Sequence, residues 1–228
     1  MKIDILTILP DVFKPYLDSS ILGRAAQQGL VEVRVHNLRD WANDNHKTVD
    51  DAPFGGGAGM VLMVEPIYKA LQTLTGGKAE KCRRGLGDAK VFITSSRGKK
   101  FSQKQAWALS RQSHLIFIAG RYEAIDERAL KYLADGTFSI GPYILTGGEL
   151  PVMVAVDAIV RILPGALGDE NSLKPEFREG EKGVSFPQYT RPEIFKTDSN
   201  KTLKVPKVLL SGHHAEIKNW RENKKKVF

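Results

Sequence analysis

Five short apolar runs alternate with segments of helical periodicity along the first two thirds of this chain. The runs are bounded by turn residues, and the strands that they predict are Ile3–Leu9, Val31–Leu38, Val91–Thr94, Leu115–Ala119 and Phe138–Leu145. The predicted helices are Ser20–Gln28, Glu65–Leu74, Ser102–Ser110, Ile125–Ala134 and Pro151–Leu163. Strands that alternate with helices are typical of α/β domains. The sequence therefore predicts an α/β fold with a mainly parallel sheet.

The pattern changes after Leu163. A Pro-Gly-Ala-Leu-Gly segment and a polar stretch from Asp169 to Gly183 show no steady periodicity, which is typical of a linker. Beyond it, Val205–Leu210 and His213–Lys226 predict a small helical lobe that ends in three lysines. We therefore expect one domain over residues 1–164, a linker over 165–183 and a small helical domain over 184–228.

The chain carries an excess of positive charge. Its 228 residues include 34 Lys and Arg against 26 Asp and Glu, which gives a formal net charge of +8 at pH 7. Such a balance favours an anionic partner such as nucleic acid, although a basic surface can also serve solubility alone. Composition leaves these two readings open.

The sequence also indicates a compartment. A single cysteine, Cys82, excludes an internal disulfide framework and fits a reducing environment. The apolar run at Ile3–Leu9 contains an acid and is too short for a signal peptide, and no stretch approaches the ~18 apolar residues of a membrane span. We expect a cytoplasmic protein with no membrane partner.

Glycines cluster at three predicted corners of the chain. They lie in Gly55–Gly59, in Gly120-Arg121-Tyr122-Glu123 directly after a predicted strand, and in the segment from Ile140 to Pro151. Taken singly, each could be a flexible loop or a strand-ending turn. None matches the dinucleotide or phosphate-loop fingerprints. Because ligands of open α/β sheets bind at the carboxyl ends of strands, the three corners together predict a small-molecule pocket built largely from backbone.

Two further groups of polar residues stand out. The segment His46–Asp51 mixes a histidine, a lysine and two adjacent aspartates, without the ligand spacing of a metal site. Asp157 and Arg161 are four residues apart on a predicted helix, so they share a face and could form an exposed ion pair. Their neighbours are almost all apolar, however, and an arginine buried among them would need a function.

These motifs together resemble the bacterial tRNA (guanine-N1)-methyltransferases of the SPOUT class, over nearly the whole chain. The matching segments include Asp11-Val12-Phe13, Gly23-Arg24-Ala25, Arg39-Asp40, His46–Asp51, Pro53–Met60, Gly120–Glu123, Ile125–Arg128, Gly147–Pro151, Tyr189–Pro192 and Pro206–Ile217. The resemblance implies methylation of the guanine at tRNA position 37, immediately 3′ of the anticodon. It also implies a deep trefoil knot, an exception to the rule that chains avoid threading their own loops.

The resemblance further implies a homodimer with active sites at the subunit interface, S-adenosylmethionine as methyl donor, and assistance from magnesium at an unknown site. The residues that it assigns to the cofactor are Thr94, Ser95, Ser96, Gly120, Tyr122, Glu123, Ile140, Gly141, Tyr143, Leu145, Gly147 and Gly148. Those that it assigns to tRNA are Arg24, Lys47, Asp50 and Arg191. By the same match, Arg161 is the catalytic arginine.

This chain departs from the family pattern at three places. Ala124 stands where the family usually has glycine, and Pro142 stands where it often has an acid. The family's general base is an aspartate shortly before Pro-x-Tyr-Thr-Arg-Pro, but this chain reads Leu-Lys-Pro-Glu-Phe-Arg-Glu-Gly there. If one deletion is allowed in the alignment of this stretch, Glu176 is the best counterpart of the family's aspartate. Glu179 and Asp169 are the alternatives.

The implied chemistry needs both a base and a cation. Guanine N1 keeps its proton at neutral pH, so a carboxylate must accept that proton while an arginine stabilises charge that develops toward O6. N1 lies on the Watson–Crick edge, so the guanine must be unstacked. Two rival functions remain at this stage, which are a knotted methyltransferase of ribosomal RNA and an RNA-binding protein that has lost catalysis.

Overall fold

The computed structural model describes residues 1–79, 88–168 and 184–227 of the chain. Contacts divide the chain into two compact units, residues 1–172 and 173–228, which are described separately below. Among the described residues, no helix has the length and apolar character that crossing a membrane would require.

A five-stranded parallel sheet forms the centre of the first unit. Its strands are β1 (Lys2–Thr7), β2 (Glu32–Asn37), β5 (Ala89–Lys100), β6 (His114–Ile118) and β8 (Gly136–Ser139). Their order across the sheet is β2-β1-β6-β5-β8, and every neighbouring pair is parallel. The predicted α/β fold with a mainly parallel sheet is therefore confirmed.

A second, smaller sheet has three short strands. They are β3 (Asp50–Asp51), β4 (Val61–Leu62) and β7 (Ala124–Ile125), with β4 in the centre. Strand β4 pairs antiparallel with β3 and parallel with β7. This sheet joins the first glycine-rich corner to the chain that follows β6.

Helices cover the parallel sheet. The α-helices of the first unit are α1 (Lys14–Leu17), α2 (Ser20–Gln27), α3 (Val64–Leu74), α4 (Gln103–Ser110) and α5 (Glu149–Val160). Short 3-10 segments span Pro10–Val12 and Leu38–Trp41. Helix α5 packs against α4 and α2, whereas α3 packs in a core with side chains of β1, β5 and β6.

Two predicted elements differ from the observed ones. The predicted helix Ile125–Ala134 is confirmed only in part: strand β7 takes its first residue, and the helical turns run from residue 127 to residue 133, with a π-helix at Ala129–Leu133. The predicted strand Phe138–Leu145 ends at Ser139, and residues 140–148 form a loop. Both errors fall where the chain turns toward the candidate site.

The second unit combines short strands with one longer helix. Strands β10 (Ile194–Lys196) and β11 (Thr202–Lys204) form an antiparallel hairpin that the sequence did not predict. Strands β9 (Val184–Ser185) and β12 (Lys226–Val227) also pair antiparallel. A 3-10 segment at Lys207–Leu210 precedes helix α6 (His214–Asn223), so both predicted helical segments contain helix.

Candidate active site

The corners that follow β6 and β8 meet residues 94–97 of β5 at one edge of the parallel sheet. Because β6, β5 and β8 are adjacent and parallel, the carboxyl ends of β6 and β8 lie beside the irregular part of β5 between Thr94 and Lys99. The three segments line one cavity, and all twelve residues that the sequence assigned to the cofactor contribute to its wall. This edge is where open α/β sheets bind ligands.

Backbone contacts bring the three segments close together. The Gly120 amide donates a hydrogen bond of 2.9 Å to Thr94 Oγ1, and the Gly148 amide donates one of 2.7 Å to the Gly120 carbonyl. A β-carbon on Gly148 would clash with Thr94 Oγ1 and would lie 2.5 Å from the Gly120 nitrogen. Glycine is therefore required at the point where the last loop crosses the other two segments.

A buried ion pair fixes the start of α5 beside this crossing. The Glu149 side chain is almost fully buried, and its carboxylate lies 3.0 Å from Arg121 Nε. Thr7 Oγ1 donates to the same carboxylate over 2.9 Å, and Arg121 Nη1 donates to the Thr146 carbonyl over 3.3 Å. An acid in the first helical turn is also favoured by the helix dipole. These contacts hold the last residue of β1 and the segment after β6 against the amino end of α5.

Tyr122 links the cavity to the first third of the chain. Its backbone has φ +60°, an uncommon conformation for a residue with a side chain. Arg39 Nη2 donates to the Tyr122 hydroxyl over 3.5 Å, and Arg39 Nη1 donates to the Lys47 carbonyl over 2.9 Å. Burial and a hydrogen bond to Asp50 raise the pKa of the Tyr122 hydroxyl. Lys47 and Asp50, both assigned to tRNA, therefore lie close to a residue of the cavity wall.

The first glycine-rich corner approaches the cavity through Gly59. The Glu123 amide donates to the Met60 carbonyl over 3.1 Å, and a β-carbon on Gly59 would clash with the Glu123 side chain. Gly55, Gly56 and Gly57 also have positive φ, but a β-carbon on any of them would point into open space. The adjacent Phe54 side chain is fully exposed.

The remaining predicted residues lie elsewhere. Arg161 caps the carboxyl end of α5, opposite the end that borders the cavity, and is half-buried rather than buried as expected. Arg24 is exposed on α2, and Arg191 is exposed in the second unit. The three acids considered for the general base, at positions 169, 176 and 179, lie outside the described residues.

Two of the three predicted corners line the cavity, whereas Gly55–Gly59 contributes none of its lining residues, and the groups that hold the walls were not predicted. Sequence reasoning missed the Glu149–Arg121 ion pair, the Thr7 contact and the Arg39 contact, although Arg39 and Glu149 lie in motifs that carried the resemblance.

Asp157 accepts a hydrogen bond of 2.6 Å from the Tyr16 hydroxyl, and this contact raises the pKa of Tyr16.

Comparisons with known proteins identify the family of this chain. The family model described as "tRNA (Guanine-1)-methyltransferase TrmD" matches residues 1–227. The chain belongs to this family. Relatives named tRNA (guanine-N(1)-)-methyltransferase occur in Dictyoglomus turgidum, Geobacter sp. (strain M21) and Geobacillus kaustophilus. They are 48%, 47% and 45% identical, over 100%, 97% and 97% of this chain and 87%, 83% and 85% of their own lengths.

The two departures from the TrmD pattern inside the site have clear positions. Ala124 borders the cavity in strand β7, where its backbone pairs with Val61. Its methyl group is exposed, so the strand accepts alanine without burying it. Pro142 lies in the loop after β8 and is exposed, between the lining residues Gly141 and Tyr143.

Proposed function

We propose that this chain transfers the methyl group of S-adenosylmethionine to N1 of the guanine at tRNA position 37. The observation that carries the proposal is the glycine-lined cavity between residues 94–97 of β5 and the segments that follow β6 and β8, in a chain that matches the TrmD family over residues 1–227. The relatives are named for methylation at guanine N1 of tRNA. The choice of position 37 follows from the resemblance to the family.

The residues of the cavity fit S-adenosylmethionine. Gly120 and Gly148 keep side chains out of the space where the chain segments cross, so the segments can approach each other closely beside the cavity. Tyr122, Tyr143 and Leu145 add apolar surface around it. When bound, the cofactor supplies a methyl group on a positively charged sulfur. The protein's part is to orient that methyl group and to exclude water.

The protein must also move one proton. We propose that Glu176 accepts the N1 proton of guanine, with Glu179 and Asp169 as the alternatives, and that Arg161 stabilises the negative charge on O6. Because N1 is on the pairing edge, the guanine has to leave its stack before either group can reach it. A guanine in an anticodon loop meets this demand at low cost.

We further propose that two copies of the chain share each active site. The 12 residues of α5 extend ~18 Å, so Glu149 at the cavity and Arg161 at the far end are well separated within one copy. Leu150 and Val154, which lie on one face of α5, are 57% and 46% exposed. If the α5 helices of two copies pack antiparallel through this face, Arg161 of each copy approaches the cavity of the other.

The fold proposal includes a trefoil knot in the first unit and a tRNA-binding role for the second. The loop 140–148 starts at the edge strand β8, passes β5 and reaches Gly120, which follows β6 in the chain. This order of crossing is compatible with a knot. We propose that the first domain ends at residue 164 and that the second domain begins at residue 184. Arg24, Lys47, Asp50 and Arg191 are the proposed tRNA contacts, and the cationic ones would add a salt-dependent part to the affinity.

Magnesium has no visible site in the described part of the chain. Those residues contain no group of three or more His, Cys, Asp or Glu side chains that could hold a metal ion. We therefore assign no step to magnesium. A requirement for it would be detected as loss of methyl transfer in EDTA and recovery when the ion is restored.

A tritiated-methyl assay with position mapping tests the proposed function. Transcripts with guanine at position 37 should become labelled at N1 of that residue, whereas transcripts with adenine there should not. Label in ribosomal RNA instead would identify the rival methyltransferase. Calorimetric binding of S-adenosylmethionine without transfer to any RNA would identify a catalytically inactive RNA-binding protein.

A further inference from the structure

A second cavity lies wholly within the C-terminal unit. Aromatic side chains line it, namely Phe186, Tyr189 and Trp220. The rings of Tyr189 and Trp220 meet edge to face, with centroids 6.2 Å apart and planes inclined by 62°. The Tyr189 side chain nevertheless stays 49% exposed. The cavity therefore presents aromatic surface that a flat apolar ligand can cover.

Positive charge surrounds the same aromatic surface. Arg191 and Arg221 both line the cavity, and the Arg221 guanidinium lies 5.1 Å from the centroid of the Phe186 ring. Residues 184–228 hold ten Lys and Arg against four Asp and Glu. This segment thus contributes six of the eight surplus positive charges of the chain. Such a surface attracts an anion that also has an apolar face.

Burial within this unit points to an external ligand as well. Among the side chains described from residue 186 to residue 225, none is buried. The apolar residues Leu209 and Ile217 border the cavity and are only half-buried. Aromatic rings beside guanidinium groups match a nucleotide, because its base stacks on the rings while its phosphate pairs with the cations. Glu193 in the wall adds an acceptor for an exocyclic amino group of the base.

We propose that this cavity binds one unstacked nucleobase of the tRNA, outside the guanine that is methylated. The base stacks on Tyr189 or Trp220, and Arg191 and Arg221 contact the adjoining phosphates. The proposal rests on the proposed function for the identity of the RNA. It gives the C-terminal unit a site for a base in addition to contacts with the RNA backbone.

Trp220 allows a direct test in the full-length protein. The chain has three tryptophans, so Trp41→Phe together with Trp107→Phe leaves Trp220 as the only one. Titration of this variant with a single-stranded RNA of about six nucleotides should quench its tryptophan fluorescence, because a stacked base contacts the indole. An oligonucleotide of the same charge with abasic sites should cause little quenching. Equal binding of the two without quenching would overturn the proposal and indicate phosphate contacts alone.

A substitution pair provides the second arm. Tyr189→Ala should weaken binding of the natural oligonucleotide about tenfold and leave binding of the abasic one nearly unchanged. Phe195→Ala is the matched control, since Phe195 is a 52% exposed aromatic residue of the same unit that does not line the cavity. Equal losses for both variants would also overturn the proposal. If Tyr189→Ala fails to fold, the fluorescence titration still decides.

The two proposals can fail separately. Position-mapped methyl transfer to tRNA by the same preparation tests the proposed function. Quenching that depends on the bases, without any methyl transfer, would retain the base-binding cavity and reject the enzyme. Methyl transfer at position 37 with no difference between natural and abasic oligonucleotides would retain the enzyme and reject the base-binding cavity.

Discussion

Gly148 is the residue at which the segments of the cavity wall come closest together. Gly148→Ala should weaken S-adenosylmethionine binding strongly, because the added methyl group would push apart Thr94 and Gly120. The same strain should lower the free energy of unfolding by ~1–3 kcal/mol. Calorimetry and thermal unfolding measure the two effects. Gly168→Ala is the matched control, since a β-carbon there would meet nothing within 4 Å.

This prediction has a clear contrary result. A folded Gly148→Ala protein with the parent's cofactor affinity would exclude the crossing point from the binding site. Equal losses in Gly148→Ala and Gly168→Ala would mean that the effect reports general stability.

Asp4 is a buried carboxylate that no proposed function uses. Its side chain is fully buried in β1 and lies 2.7 Å from His36 Nε2, 2.6 Å from His114 Nε2 and 2.9 Å from Lys2 Nζ. Burial alone would raise its pKa, but the hydrogen bonds from His114, His36 and Lys2 outweigh burial and hold the pKa far below the ordinary value of 3.8. Asp4 is therefore charged in the native protein at neutral pH.

The lowered pKa makes Asp4 a source of acid sensitivity. Its stabilising effect should be complete above about pH 4 and should be lost as the pH falls toward the native pKa. Asp4→Asn should lower the unfolding free energy at pH 7 by about 3 kcal/mol and flatten its dependence on pH between about 4 and 2. Urea unfolding at several pH values measures both. The exposed Asp11→Asn should change neither, and an unchanged acid dependence in Asp4→Asn would refute the assignment.

Glu176 is the residue where the chain leaves the family's pattern most sharply. If it is the base, Glu176→Gln should keep cofactor binding while methyl transfer falls by ~10²-fold or more. Glu176→Asp should retain far more activity, because the carboxylate remains. Glu179→Gln and Asp169→Asn are the controls, assayed in single turnovers. A parental rate for Glu176→Gln with an inactive Asp169→Asn would move the base to Asp169.

At the residue scale, sequence alone predicted the glycines of the cavity but not the contacts that hold them. Glycine clusters are visible along the chain because they need no partner to be recognised. The Glu149 carboxylate meets Arg121 and Thr7, which are 28 and 142 residues away. Such distant pairs leave no local signal in one sequence. The same applies to Asp4, whose partner His114 is 110 residues away.

At the element scale, helix α5 connects the cavity to the proposed dimer interface. Thr7 contacts Glu149 and Tyr16 contacts Asp157, so the segment between Thr7 and Tyr16 lies along this helix. That segment exposes Leu9 and Val12, and the helix that it follows exposes Leu150 and Val154. A patch of this kind on an otherwise well-packed unit is typical of a subunit interface.

The patch predicts a sensitive substitution. Val154→Lys should convert the dimer to a monomer, because each interface would bury two unpaired ammonium groups. Methyl transfer should fall at least tenfold with the dimer, as measured by sedimentation and single-turnover assays. Leu203→Lys is the control, since Leu203 has similar exposure but belongs to the hairpin of the C-terminal unit. A Val154→Lys protein that remains dimeric would place the interface elsewhere.

The elements themselves were predicted where their periodicity is local. The strands that became β1, β2, β5 and β6 and four of the five predicted helices of the first unit were recognised from apolar spacing. The predicted helix at Ile125–Ala134 starts late, at residue 127, because its first residue pairs instead with Leu62 in β4, far back in the chain. The hairpin of β10 and β11 was missed because its residues are exposed on both faces, so no apolar alternation marks it.

At the scale of the whole molecule, the proposed dimer places the two reacting halves of each site on different chains. The cavity is formed by β5, β6, β8 and the amino end of α5, whereas Arg161 lies at the other end of that helix. A two-fold axis that pairs α5 helices would bring the carboxyl end of one helix to the amino end of the other. The predicted helix Pro151–Leu163 already separated Arg161 from Gly148 along the chain, but the exposed face through which two such helices could pair depends on the packing of the folded unit.

A mixing experiment tests the shared site. Gly148→Ala removes the cavity and Arg161→Ala removes the cation, so each homodimer should be inactive. In a heterodimer, the Arg161→Ala chain still has an intact cavity, and the Gly148→Ala chain still supplies Arg161. If Arg161 acts across the interface, one of the two sites is complete, and the heterodimer should show about half the parent's single-turnover amplitude. If Arg161 serves the cavity of its own chain, neither site is complete and no activity returns. Differently tagged chains, purified as verified heterodimers, separate these outcomes.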